Sequence, residues 1–466
     1  MQKSTSGWAL AALSGVPLIM VLGNSMLIPI LPKMKAVLGV SQFQISLVIT
    51  LFSIPAGITI PIAGFLADRL GRKKVIIPAL IIYGIGGIIA GLAAVFLAKK
   101  AFYLLLVGRV IQGIGAAGTA PIAMALAGDL FTGKSRSKAL GLIEAANGMG
   151  KVISPILGSL VGLIAWYATF FVFPIFVLPV VIAMLLLVKE STTQANKQSV
   201  AQYFSGLKSI FQQKGKLLLT CFWAGSVTLF ILFGILFYLS DFLETRYKVD
   251  GVFKGSLLAI PVLVMALTSF ITGFIIKKKT KLMKALVVTG LVLVAGGLGV
   301  LPLFDNNVYG YFGAIIITGL GSGLVLPCLN TTITSAVSLK ERGTVTALYG
   351  GVRFVGVALG PPIFGLLLGY SKNIMFLSNA GLAGASALLA LMALNPIEMK
   401  TQAKAKTGDS REDKSISWWK TLFETITFRN TIGNLVLRKP EPKKSSEDSK
   451  NDSKTSNETD SKPPDK

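Results

Sequence analysis

Gly64-Phe65-Leu66-Ala67-Asp68-Arg69-Leu70-Gly71-Arg72-Lys73-Lys74 is a short polar knot between two long apolar runs. A connection this short turns the flanking helices into an antiparallel pair. It also gathers one carboxylate and four cations at one end of that pair. Gly64 and Gly71 suit a close approach and a tight turn. A simple positive-inside anchor would need these charges but not this glycine spacing.

The rest of the chain has the same character. Of 466 residues, 52% are apolar and only 14% charged, with the charges gathered in short blocks, which excludes an ordinary soluble domain. A bilayer core of ~30 Å takes about 20 apolar residues per helix, and backbone groups in lipid must be satisfied within the helix. Twelve spans are predicted, near 8–31, 44–66, 75–97, 101–126, 139–165, 168–188, 217–240, 252–276, 283–304, 308–335, 343–369 and 374–394. The first apolar run is full-length and lacks a convincing cleavage site, so it reads as a span and not as a cleaved signal.

Alternate loops differ in charge. One set carries Arg69, Arg72, Lys73, Lys74, then Lys134, Arg136, Lys138, then the central loop and Lys277, Lys278, Lys279, Lys281. The other has scattered cations (Lys33, Lys35, Lys99, Lys100) and the acids Asp241, Glu244, Asp250 and Asp305. The positive-inside rule places the first set, and both termini, in the cytoplasm. The net charge of +25 is then mostly topology and a basic tail, and is no nucleic-acid signal. Cys221 and Cys328 fall inside spans without ligand-like spacing. Histidine is absent, so a proton-carrying step must fall to carboxylates.

The chain repeats at a gapless offset of 206 residues. Gly113 aligns with Gly319, Gly115 with Gly321, Pro121 with Pro327, Arg136 with Arg342, Leu142 with Leu348, Gly150 with Gly356 and Pro155 with Pro361. Parallel six-helix halves with a site between them near mid-depth are the architecture such a repeat predicts. The domains are 1–188, a linker over 189–216, and 217–394. Over 395–438, Trp418, Trp419, Leu422, Phe423, Ile426 and Phe428 interleave with Lys420 and Arg429, which fits an interfacial amphipathic helix or an unstructured tail with stray aromatics. Residues 439–466 lack large apolar side chains and are expected to be disordered.

The 64–74 stretch resembles, position by position, the signature G-x-L-A-D-r-x-G-r-k-k between the second and third spans of the major facilitator superfamily. Leu22-Gly23 with Pro29 and Pro32 resembles the first-helix pattern of its twelve-span drug:proton antiporters, and Arg109-x-x-Gln112-Gly113-x-Gly115-Ala116-Ala117 resembles their fourth-helix pattern. The fifth-helix pattern G-x-x-x-G-P-x-x-G-G is degenerate here, as Gly150-x-x-x-Ser154-Pro155-x-x-Gly158-Ser159. Gly356-x-x-x-Gly360-Pro361-Pro362 stands at the matching place in the eleventh helix.

The resemblance implies an all-α membrane protein that works by alternating access, two bundles rocking about a central site. It implies a monomer in a bacterial plasma membrane that needs no cofactor beyond the proton gradient. Its partners would be a small-molecule substrate, protons and the bilayer, with no nucleic acid. Asp68, with Arg69 and Arg72, would latch one state through a helix-dipole or arginine contact. Gly64, Gly71, Gly150, Pro155, Gly360 and Pro361 would serve gating. Arg109 matches the family arginine linked to proton transfer; a guanidinium does not deprotonate, so its role would be to tune an acid.

Arg109, Glu144, Lys151 and Arg353 lie inside the predicted spans, away from their ends. A charge there costs about 3 kcal/mol on insertion scales, so each reads as functional unless the charges neutralise one another to fix packing. Glu144 and Lys151 are seven residues apart, on one helix face and separated by ~10 Å of rise. Gly148, Pro155, Gly158 and Gly162 share that stripe, which suits a cavity wall or tight helix packing. Glu144 is the one carboxylate predicted deep in a span, and so the leading proton site. Asn24, Ser25, Asn147 and Asn330 are further candidates for substrate contact. Three cations to one carboxylate favours neutral, zwitterionic or acid-bearing amphiphiles, if Lys151 and Arg353 face the cavity.

The leading reading is therefore a proton-coupled exporter of amphipathic small molecules, antibiotics or a secreted metabolite such as a siderophore. A lipid or glycolipid flippase of the same fold, and a receptor or scaffold acting through the tail, are the alternatives. No phosphate loop, metal cluster or nucleophile elbow points to an enzyme.

Overall fold

The computed structural model describes residues 7–97, 100–131, 133–189, 200–276, 279–304, 307–338 and 341–395. The side chains of 133, 134, 137 and 200–204 are outside that description, as are Lys99, Lys277, Lys278, Asp305 and the whole of the 396–466 tail with its predicted interfacial segment.

Local chemistry marks the helix ends. Ser41 begins the second span with a capping box: its hydroxyl accepts from the Gln44 amide, and the Gln44 side chain accepts from the Ser41 amide. Gly71 has φ of 105°, which allows the chain to leave one helix and start the next with Gly71 as the single residue between them. The helices in order are α1 (Gly7–Ser25), α2 (Leu31–Leu38), α3 (Gln42–Leu70), α4 (Arg72–Phe96), α5 (Ala101–Ala117), α6 (Ala120–Leu130), α7 (Gly133–Ile164) and α8 (Ala168–Leu187). They continue with α9 (Val200–Tyr247), α10 (Gly251–Ile276), α11 (Thr280–Val300), α12 (Val308–Ala336), α13 (Arg342–Tyr370) and α14 (Lys372–Ala393).

Among the described residues these make twelve segments long and apolar enough to cross a membrane. Two predicted spans are broken. The first changes helix at Met26–Ile30, ahead of Pro32, and the fourth at Gly118–Thr119, ahead of Pro121. The 189–216 linker also differs from expectation. Its second part is helical from Val200 and runs into the seventh span through a non-helical residue, Lys214. Ile210 and Phe211 explain this, since both pack into the apolar cluster of Leu217, Leu218 and Phe222.

The two halves repeat in space. In the first, α3 and α4 pack on α5, α4 on α8, and α1 on α7; in the second, α10 and α11 pack on α12, α11 on α14, and α9 on α13. The aligned glycines hold matching places. A Cβ on Gly113 would meet the Phe52 carbonyl of α3, and one on Gly319 the Pro261 carbonyl of α10. Likewise Gly115 lies against Tyr83 of α4, and Gly321 against Gly290 of α11. Small residues let membrane helices approach this closely, and packing is what holds them there.

Gly113→Ala and Gly319→Ala should each lower stability by about 1–3 kcal/mol, because the new methyl lands on backbone that cannot move aside. Gly313, whose Cβ would meet nothing within 4 Å, should take alanine without loss. Thermal melting of the purified protein checks the contrast.

Candidate functional site

Arg109 of α5 is completely buried, and its partners lie on three helices. Its Nε donates to the Val48 carbonyl (2.9 Å), Nη1 to Gln112 Oε1 (2.6 Å), and Nη2 to the Gly23 carbonyl (2.9 Å) and Asn24 Oδ1 (3.0 Å). The guanidinium also lies 4.3 Å from the centre of the Phe52 ring. Asn24 passes the network on by donating to Ser53 Oγ at 2.7 Å. All these acceptors are neutral, so the acid that Arg109 was expected to tune is not among them. Asn24 is likewise corrected: both ends of its buried amide are engaged, which removes it from the substrate candidates.

The charged stripe of α7 divides in two. Toward the Ile164 end its small residues are packed: Gly158 against Met26, Gly162 against Ile30, and Pro155 and Ser159 against Gly255 of α10. Gly150 faces Leu18 and Val21 of α1. Toward the Gly133 end the stripe opens. Gly148 has nothing within 4 Å of its Cβ position, and Glu144 is exposed instead of deeply buried, at the 3.5 Å limit of a hydrogen bond from Asn147 Nδ2. Between these zones Lys151 is half-buried, within electrostatic reach of both Glu144 and Arg353. Arg353, on α13 of the other half, has its guanidinium carbon 5.2 Å from the centre of the Tyr349 ring. Asn330 is exposed on α12, and Gly360 of α13 lies against Phe230 and Gly234 of α9 with Pro361 buried beside it.

The polar knot forms its own cluster. Arg72 pairs with Asp129 of α6 at 2.7 Å and with Asp68 at 3.7 Å, all within the first half. Lys73 Nζ donates to the Leu185 and Val188 carbonyls and so caps α8, while Arg69 is exposed. Gly64 reaches the other half, its Cβ position 3.4 Å from Ala347 of α13. At the opposite end the halves are tied directly. Lys35 pairs with Asp241 at 3.5 Å, Ser240 Oγ donates to the Ile28 carbonyl at 2.8 Å, and Thr50 Oγ1 to the Ala358 carbonyl at 2.7 Å. Beside them is a cation that sequence reasoning missed. Lys254 of α10 is fully buried and pairs with Glu244 at 2.5 Å and Asp250 at 3.5 Å. The signal available was the trio of acids at 241, 244 and 250 flanking it.

Twelve membrane-crossing segments in two repeated halves are the architecture of a polytopic membrane transporter. A family model described as Major Facilitator Superfamily matches residues 13–361 and again 284–439. The chain belongs to the major facilitator superfamily, and is a transporter and not an enzyme. It is 45% identical over 388 residues to a bacillibactin exporter of Bacillus subtilis (strain 168), a match covering 82% of this chain and 96% of that one. It is 27% identical over 360 residues to multidrug resistance protein 1 of the same organism, covering 76% and 88%. Among solved structures, a D-xylose-proton symporter matches with a TM-score of 0.70 at 13% identity, covering 85% of this chain and all of that one. A bacterial homologue of the human lysosomal transporter Spinster, inward-facing and unoccupied, matches at 0.64 and 19%, covering 87% and 99%. At such identities the structures share the fold alone.

Arg109→Lys keeps the charge but loses the fork that reaches three helices. It should cost on the order of 3 kcal/mol through acceptors left unpaired. Exposed Arg69→Lys should be neutral, and paired melting curves of the two variants check this.

Proposed function

We propose that this protein exports an amphipathic secreted metabolite or antibiotic, energised by the proton gradient through alternating access. Bacillibactin is the first cargo to test. The observation that carries the reading is the 45% identity, sustained across nearly the whole length of a relative named for that export. The loop cations Arg69, Arg72, Lys73 and Lys74 support placing the knot in the cytoplasm, and with it the open part of α7. The ties at Lys35–Asp241 and Ser240–Ile28 then close the outer end, an arrangement suited to loading from inside. The moving bodies are 1–188 and 217–394, and the helix from Val200 would travel with the second.

Glu144 is the residue we assign to the response to protons. It lies on an open face, beside Asn147 and within electrostatic reach of Lys151, and no histidine is present to replace it. Asp68 and Arg72 are assigned to gating, with Asp129 as their partner.

Proteoliposomes holding the protein should move bacillibactin in a protonophore-sensitive way; protein-free rates would overturn the reading. Glu144→Gln should fold and bind cargo normally, yet its transport should no longer respond to an imposed pH difference. A well-folded variant with a wild-type pH response would move the proton site to Asp68 or Asp129. Asp68→Asn should insert at wild-type levels while transporting far more slowly, because Arg72 loses one of its two carboxylates; undiminished rates would remove Asp68 from the gate.

A further inference from the structure

Arg109, Lys254, Lys151 and Arg353 all lie on membrane-spanning helices, and the protein treats them in two ways. Arg109 has four hydrogen bonds to neutral acceptors and an aromatic face beside it. Lys254 has two carboxylates. Lys151 and Arg353 have less: Arg353 has the Tyr349 ring 5.2 Å away, and Lys151 has Glu144 within electrostatic reach. Among the described residues neither takes part in an ion pair, and Arg353 Nε is buried without a hydrogen-bond partner. Both stand near the middle of their helices, Lys151 within Gly133–Ile164 and Arg353 within Arg342–Tyr370. They belong to different halves, yet lie within electrostatic reach of one another.

Holding two like charges within reach of each other inside membrane-spanning helices is costly. Glu144 supplies one negative charge against these two positive ones, which leaves one positive charge over. Like charges on facing halves also oppose any motion that brings the halves together there.

We propose that Lys151 and Arg353 form a clamp for the acidic group of an amphipathic organic anion, each half contributing one cation. The anion accepts from Lys151 Nζ on one side and from the guanidinium of Arg353 on the other. Tyr349 is a positioning residue: its ring lies beside the guanidinium and is itself packed 5.6 Å from the Phe222 ring. Binding turns a repulsion across the interface into two attractions, so the anion binds the closed arrangement more tightly than the open one. That differential is what allows a ligand to drive closure. The clamp deepens the export reading by naming its cargo class and rests on that reading only for the direction of transport.

The test reads closure and not transport. Gly148→Cys places a thiol where a side chain meets nothing, and the native Cys221 and Cys328 are fully buried. In unsealed membranes, the rate of labelling by a charged maleimide is followed with 8-anilinonaphthalene-1-sulfonate or with N-phenyl-1-naphthylamine, the same frame without the sulfonate. The sulfonate should slow labelling about tenfold or more, the scale of one charge-assisted hydrogen bond. The neutral amine should not. Lys151→Gln and Arg353→Gln, each checked for an unchanged melting temperature, should lose the protection. Arg353→Glu should label slowly with no ligand, since opposite charges now attract. Protection absent in the parent, equal protection by both probes, or protection surviving both glutamine variants would each overturn the clamp. Should Arg353→Glu not fold, the glutamine variants decide alone. Failure of bacillibactin export with intact sulfonate protection would overturn the export reading and leave the clamp standing.

Discussion

The proposed rocking requires halves that stay rigid, and in the first half rigidity converges on one side chain. Arg109 reaches from α5 to Gly23 and Asn24 of α1 and to Val48 of α3, so three helices share one charge. Its burial without a counter-ion is tolerable because hydrogen bonds replace hydration around the guanidinium. The second half meets the same demand differently. Gly319 against Pro261, Gly321 against Gly290 and Gly297 against Thr318 bring the backbones together, where van der Waals contact does most of the holding.

The polar contacts between the halves are of another kind. Lys35 and Asp241 both keep access to solvent, and a pair of that sort is worth about 1 kcal/mol or less. The two hydroxyl-to-carbonyl bonds at Ser240 and Thr50 can be exchanged for water as the ends part. Along α3 and α13 the halves meet at Gly57 and Gly351, by the same backbone-to-backbone approach that operates within a half. A buried hydrogen-bond network inside the first half, with a solvent-reaching ion pair and few hydrogen bonds between the halves, suits rigid-body motion.

Hydropathy made the twelve spans legible, because lipid allows few other ways to satisfy a backbone. The 206-residue offset was legible too, and its glycines occupy matching contacts in both halves. The breaks at Met26–Ile30 and Gly118–Thr119 escaped because an average over apolar residues does not see a change of direction, although Pro29, Pro32 and Pro121 were in view. The helix from Val200 escaped because Ile210 and Phe211 are apolar on one face only. At the site, the shared face of Glu144 and Lys151 could be read from their spacing. Their facing toward Arg353 could not, since that depends on how two separately folded halves meet. Nor could the partners of Arg109, half of which are backbone carbonyls that no side-chain motif records.

The charge of the cargo decides what Glu144 can do. A neutral cargo leaves Glu144 as the one group at the site whose charge changes, so a proton and the cargo can alternate there. An anionic cargo and the ionised Glu144 instead compete for Lys151 and Arg353, and protonating Glu144 removes the competitor. Protonation of Glu144 then acts on cargo binding at the clamp, which is how the proposed response to pH would reach the cargo. An anion leaving a cell that is negative inside has a second source of drive, about 2.3 kcal/mol per charge for every 100 mV. For a clamped anion, the membrane potential would therefore drive export alongside the proton gradient.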